Sequence, residues 1–342
     1  MTARGSAAPR TLVLHAGALG DLILTLHFIR HIRSSQGGLV ALAGRGSWSL
    51  WAARVGLVDE AVVPEQVGLQ ELFTPEPADG AVLKAFLRRF NRVISFLDGP
   101  GSAITASLRS VAPHAEVIGI DPGPTAETLS AGRHITEQWL GEFAAACGVS
   151  LEHLREPGSD QASFKGIRTG ADDSEGGGWV YCHPGSGGRA KCVPLEAMER
   201  LVAALADAGH AARWMIGPDE AEQFGSALER RLRRTAPVDF ETDCDAVVEL
   251  LRRARAYIGM DAGMTHVAAL RGVPTAAVFG PTDPRVWRPL GVRVRVCRFP
   301  ESGEPAERWA SRMLDEASTL VAADDGSMLR EPRPPGAAGA RA

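Results

Sequence analysis

Asp261, Ala262, Gly263 and His266 sit in the stretch YIGMDAGMTHVAALRGVPTAAVFG, between an apolar run and a short helical pattern. A carboxylate, an imidazole and the free N–H groups of a helix start suit a phosphate-bearing ligand whose sugar hydroxyls need an acceptor. The plainer reading is an N-capping Asp beside a half-buried His. A second loop, HPGSGGRAK from His183 to Lys191, offers glycines that let a backbone approach a ligand closely. Its Ser186 hydroxyl can donate, and Lys191 can neutralise a phosphate. No GK[ST] closes this loop, so it is not a Walker A motif, and it lacks the GxGxxG fingerprint. A flexible turn explains its glycines equally well but not its lysine, because the chain has only Lys84, Lys165 and Lys191 among 37 basic residues. A third loop, GALGD, puts Asp21 at a helix start after Gly20. There it is either a first-turn acid favoured by the dipole or a base facing a cleft.

Weaker signals are placed beside these. Asp243-Cys244-Asp245 mimics the DxD of metal-dependent sugar transferases but precedes a helix, so it reads as a cap and no metal is assigned. Arg88, Arg89 and Arg92 read as a solvated face, or as a contact for an anionic acceptor at a cleft mouth. His15, His27, His31, His134 and Trp139 have no spacing that sets them apart.

The elements that must position these loops alternate. Apolar runs at 11–15, 39–43, 61–64, 93–97 and 116–120 read as strands, with helical periodicity at 22–33, 48–55, 80–90, 104–110 and 136–147. A polar, glycine-rich segment at 170–178 reads as a linker. Alternation resumes with strands at 179–183, 210–216, 238–240, 256–260, 275–279 and 292–298 and helices at 195–208, 219–234, 245–254 and 265–270. A helix over 304–321 closes the pattern, and the Pro-, Gly- and Arg-rich 326–342 reads as a disordered tail. This is an α/β chain with two doubly wound parallel-sheet domains. In such sheets ligands bind beyond the carboxyl ends of strands, where all three loops fall.

Length and composition agree. A chain of 342 residues accommodates two cores. A hydrophobic share of 45% with 23% charged residues is that of a soluble globular protein. The formal charge of −4 argues against nucleic-acid binding driven by phosphate neutralisation. Five scattered cysteines without CxxC spacing fit a reducing compartment and give no zinc site. The basic, then apolar N-terminus resembles a signal peptide, but His15 and Asp21 interrupt the run. A cytoplasmic location is expected.

Taken together, GALGDLILTL, HPGSGGRAK, IGPDEAE and GMDAGMTHVAALRGVPTAAVFGPTDP, in this order over residues 10–300, resemble glycosyltransferase family 9, the ADP-heptose:lipopolysaccharide heptosyltransferases and their relatives. The resemblance implies a GT-B fold, two Rossmann-like domains facing across a cleft: an acceptor domain over 10–165, to which the 304–321 helix returns, and a nucleotide-sugar domain over 178–300. It implies metal-independent, inverting transfer of a heptose-like sugar from a nucleotide diphosphate, with no cofactor. Asp21 would be the general base. Ser186, Gly187 and Lys191 would hold the diphosphate, Glu220 (or Glu222) would meet the ribose, and Asp261, Ala262, Gly263 and His266 would contact sugar and phosphates. Gly20, Ser102, Arg88 and Arg89 form the expected acceptor side. The acceptor would be an anionic glycolipid or glycan of the cell envelope, with peripheral contact at the inner membrane face. The chain has Lys191-Cys192-Val193-Pro194 where the family often has Lys-Arg-Trp-Pro, and no basic residue in Asp98–Ser102. Both departures bear on the particular donor and acceptor. A GT-B nucleotide-sugar epimerase and a non-catalytic nucleotide-sugar binder are the alternatives.

Overall fold

The computed structural model describes residues 8–74, 80–154, 178–225 and 227–322. The expected linker, apart from Gly178, and the expected tail lie outside these residues, as does the end of the expected first domain at 165. The first half holds β1 (Arg10–Leu14), β2 (Leu39–Ala43), β3 (Glu60–Val62), β4 (Arg92–Ser95) and β5 (Glu116–Gly119), all parallel, in the order β3-β2-β1-β4-β5. The second holds β6 (Trp179–His183), β7 (Ala212–Ile216), β8 (Val238–Phe240), β9 (Ala254–Met260), β10 (Thr275–Phe279) and β11 (Val294–Arg298), parallel in the order β11-β10-β9-β6-β7-β8. Each half starts at the middle of its sheet and winds outward both ways. The order therefore reverses between β1 and β4, and again between β6 and β9.

Strand alternation sorts the core. Leu12 and Leu14 pack on one face of the first sheet with Phe90 and Val93, while Val13 points to the other face. There Phe28 meets Phe96 and Phe143 edge-on, and Phe96 meets Trp139. This second cluster does not stop at the first half. It runs through Leu22 and Phe28 into Tyr181, Tyr257 and Val267 of the second.

Two expected elements differ. The 219–234 helix is two, Pro218–Phe224 and Leu228–Leu232, because Gly225 takes a φ of 86° that ends the first. The closing helix, Ala306–Ala322, does not return to the first half. Its Trp309, Met313, Ala317 and Leu320 recur at helical spacing and pack on Val180, Cys182, Met198 and Leu201 of the second half. The Trp309 indole donates to the Arg298 carbonyl at 2.9 Å. That face of the second sheet would otherwise be open to water, and burying an apolar stripe there is favourable at roughly 25 cal/mol per Å².

The halves meet instead through helix Leu19–Gln36 and helix Gly263–Leu270, whose N-termini abut. A Cβ on Gly263 would lie 2.5 Å from Leu19 Cβ, so only glycine permits this approach. Gly263→Ala is expected to cost about 1–3 kcal/mol, read as a lower urea midpoint. Gly187→Ala, at a position with no atom within 4 Å of the added Cβ, serves as the control and should leave the midpoint unchanged.

Candidate active site

The three loops do converge. Ala18, Gly20 and Asp21 from the first half line one cavity of about 320 Å³ with Ser186, Gly187, Lys191, Asp261, Ala262, Gly263 and His266 from the second. Asp21 is the third residue of its helix, and its Oδ2 accepts the Ala18 amide at 3.1 Å. The first-turn and cleft readings of this residue are thus compatible. Burial pushes its carboxyl above the ordinary value and the neighbouring Asp261 adds to this, against the pull of the Ala18 amide and Lys191.

Asp261 is the hub of the opposite wall. It directly follows the last residue of β9, and its side chain is 8% exposed. Its Oδ2 takes Lys191 Nζ at 2.8 Å and the Thr282 hydroxyl at 2.6 Å. Its carbonyl accepts from Ser186 Oγ at 2.5 Å, which ties the loop after β6 to the turn after β9. Gly263 begins the adjoining helix, with Ala262 as its N-cap, so unpaired amides face the same space as Lys191. An anion placed there meets an ammonium and a helix dipole together.

His266 lies under this floor, 4% exposed, with Nδ1 meeting no hydrogen-bond partner among the described residues. Its ring sits against Gly20, where an added Cβ would come within 3.4 Å. Burial lowers its pKa to about 4 despite Asp261. His15 falls to about 4, and His27 and His134 to about 3, also through burial. These rings stay neutral when folded and protonate near 6.5 when unfolded, so the unfolded chain binds more protons between about pH 6.5 and 4. Stability should therefore fall as pH drops through that window, read as a declining melting temperature. A flat profile would contradict neutral buried rings.

Other expected site residues lie elsewhere. Glu220, 5% exposed, lines a neighbouring cavity of about 170 Å³ with Gly217, Glu241, Thr242 and Met264. Its Oε1 is 3.2 Å from His183 Nε2 and its Oε2 accepts the Gly217 amide at 2.8 Å. Burial raises its carboxyl, but the His183 bond and charge and the Gly217 amide outweigh burial and hold it below the usual value. His183 Nδ1 in turn lies 3.0 Å from the Met215 carbonyl. Ser102 caps the helix Ala103–Val111 by accepting the Thr105 amide, and it does not line the cavity. Arg89 lies away from the shared cavity. Arg89 pairs with Glu60 at the start of β3 and stacks on Phe86 and Phe90, at the amino ends of the strands. The Asp243 carboxylate caps its helix, accepting the Asp245 and Ala246 amides, while Asp245 pairs with Arg54 across the two halves.

Thr282 was not singled out by sequence, which shows only a Pro-Thr-Asp-Pro turn. The available signal was its place just beyond the carboxyl end of β10. Trp287, on the cavity rim, carried no signal at all.

Two parallel α/β domains wound in this order, with a shared cavity at their carboxyl ends, define the class as the GT-B fold. Residues 129–315 match the model of glycosyltransferase family 9 (heptosyltransferase), and the chain belongs to that family. It is 23% identical to lipopolysaccharide heptosyltransferase 1 of Escherichia coli K12 over 309 residues, 85% of this chain and 94% of that one. It is 24% identical to lipopolysaccharide heptosyltransferase 1 of Pseudomonas aeruginosa over 293 residues, covering 80% and 79%. Among solved structures it resembles E. coli heptosyltransferase WaaC with ADP, at a TM-score of 0.65 and 19% identity, covering 90% and 99%. A family 9 glycosyltransferase from Veillonella parvula aligns at a TM-score of 0.67 and 16% identity, covering 94% and 100%. Among the described residues, no helix is long and apolar enough to cross a membrane.

Proposed function

We propose that the chain moves a heptose-like sugar from ADP-heptose to a hydroxyl of a lipopolysaccharide-core or other cell-envelope glycan, with inversion and without a metal. The observation that carries this is one cavity lined by Asp21 together with Lys191 and Asp261, the last also held by the Thr282 hydroxyl. Asp21 takes the proton of the acceptor hydroxyl as its oxygen bonds to the anomeric carbon. The bond from that carbon to the diphosphate oxygen breaks in the same step, so a single displacement inverts the centre. Negative charge grows on the departing diphosphate. Lys191 and the amides at the Gly263 helix start are placed to stabilise it, which is the task a divalent ion performs elsewhere. Asp261, buffered by Lys191 and Thr282, accepts from sugar hydroxyls. His266 supports the floor beneath them.

The base and ribose belong in the adjoining cavity, where Glu220 and Glu241 offer acceptors and Met264 and Val247 offer apolar walls. Sequence similarity to lipopolysaccharide heptosyltransferases and fold similarity to a heptosyltransferase crystallised with ADP-2-deoxy-2-fluoro heptose support the donor. A glycolipid acceptor would bring this enzyme to the inner face of the membrane from the cytoplasm. Calorimetry with ADP-heptose followed by a turnover assay with a lipid-A-core acceptor tests the reading. Sugar transfer releasing one ADP per product supports it. Free nucleotide released without acceptor would indicate an epimerase, and binding without turnover a non-catalytic relative.

A further inference from the structure

Trp48 of the first half lines the small cavity that Glu220, Glu241 and Met264 line from the second. It lies in the helix Ser47–Arg54, and Leu19, at the start of the helix Leu19–Gln36, joins it on the same wall. The other lining residues come from the second half. At about 170 Å³ the cavity is smaller than the pockets of about 300 Å³ and more that take drug-sized ligands. A planar base inside it therefore lies near the walls of both halves. The Trp48 ring is braced edge-on against Trp51, with centroids 5.5 Å apart, and Trp51 is buried in the core.

The helix carrying Trp48 is seated on the helix Cys244–Arg252 of the second half. Arg54 Nη2 meets Asp245 Oδ2 at 2.5 Å and Cys244 Sγ at 3.6 Å. Cys244 Sγ also lies 3.9 Å from the Ser47 carbonyl oxygen. Arg54 ends its helix about 9 Å along the axis from Trp48. Neither Arg54 nor Asp245 lines the cavity, and their side chains are 52% and 56% exposed. Cys244 and Val247 do line it, and they share one apolar cluster with Trp51, against which Trp48 packs.

Resting on the placement of base and ribose in this cavity, we propose that Trp48 is a donor-binding residue supplied by the first half, and that the Arg54–Asp245 pair is the contact that positions it. The Trp48 ring packs against the nucleotide base, so both halves hold the donor. Affinity for the donor then depends on a surface ion pair that the ligand never touches. An exposed pair contributes little by itself. Reversing one charge, however, sets like charges face to face where the two helices meet, and moves Trp48 away from the base.

Calorimetry on the full chain with ADP, GDP, UDP and CDP tests this, with tryptophan fluorescence as a second readout. Trp48→Ala should weaken ADP by about 5–100-fold, the range for removing an aromatic ring that stacks on a base. Trp48→Phe keeps a ring, so it should bind ADP within about threefold of the parent while losing the quench that ADP causes in the parent. Arg54→Glu should weaken ADP about fivefold or more at low salt, and less in 1 M salt, where charges are screened beyond about 3 Å. Combining Arg54→Glu with Asp245→Arg should restore the parent affinity. Both side chains are exposed, so these variants should fold, and an unchanged melting temperature checks this. Trp48→Ala or Arg54→Glu within twofold of the parent, a quench that survives in Trp48→Phe, or a charge swap no better than Arg54→Glu alone overturns the proposal. ADP bound by the parent and untouched by the variants sinks the Trp48 assignment and leaves the donor reading. Another of the four nucleotides bound in place of ADP, and weakened by the same variants, sinks ADP as the donor nucleotide and leaves Trp48. Binding of none of the four sinks both.

Discussion

Asp21→Asn is expected to lower turnover by about 10²–10⁴-fold, the range for removing a positioned general base, while ADP binds as it does to the parent. The amide is nearly isosteric, and its oxygen can still accept the Ala18 amide that the carboxylate accepts at 3.1 Å. A loss of turnover would therefore report chemistry rather than a disturbed helix start. The raised carboxyl of the parent adds a second signature. The base works ionised, so kcat/KM should fall as pH drops through that raised value, over a range where an ordinary carboxylate is still fully charged. In Asp21→Asn this limb should vanish from whatever activity remains. Parent-like rates in the variant would remove Asp21 from the reaction.

Lys191→Ala should be the next most damaging change. Lys191 is the ammonium beside Asp261 and the cation lining the shared cavity. Its removal is expected to weaken ADP binding about 10–150-fold and to lower turnover further by about 10²–10³-fold, because charge on the leaving diphosphate peaks in the transition state. It also leaves the nearly buried Asp261 carboxylate facing the phosphates without its cation, so like charges meet. Thr282→Val separates the two effects. It removes the hydroxyl that Asp261 accepts at 2.6 Å and keeps Lys191, so a loss of about 5–15-fold is expected, the scale of one hydrogen bond. Equal effects from both variants would mean that the charge of Lys191 contributes nothing of its own. Titration with ADP and steady-state kinetics read both.

Much of the molecule was legible in the linear chain. Buried strands announce themselves as apolar runs of a few residues, and the helices between them by their periodicity, since both depend on backbone geometry repeating within about ten residues. Parallel sheets then place the loops after β1, β6 and β9 at one end, so Asp21, Lys191 and Asp261 could be named from position and residue type. Local patterns of this kind carry no information about what lies across a packed interface. That Lys191 reaches Asp261 over 70 positions, that Thr282 joins them, and that His183 engages Glu220 depends on how separate elements pack. The closing helix shows the same limit. Its stripe of Trp309, Met313 and Leu320 demanded an apolar partner, but only the assembled second sheet offered the face that received it. Arg89 of the expected acceptor side stands away from the cavity for a related reason. Arg88 and Arg89 cluster in sequence, yet the chain reverses before β4 and leaves Arg89 at the amino ends of the strands, away from the site. The sequence alone determined two doubly wound halves and the residue types at their loops, because those follow from periodicity and turn chemistry. The tertiary structure alone decided which side chains share a cavity, because that depends on contacts between segments that periodicity never relates.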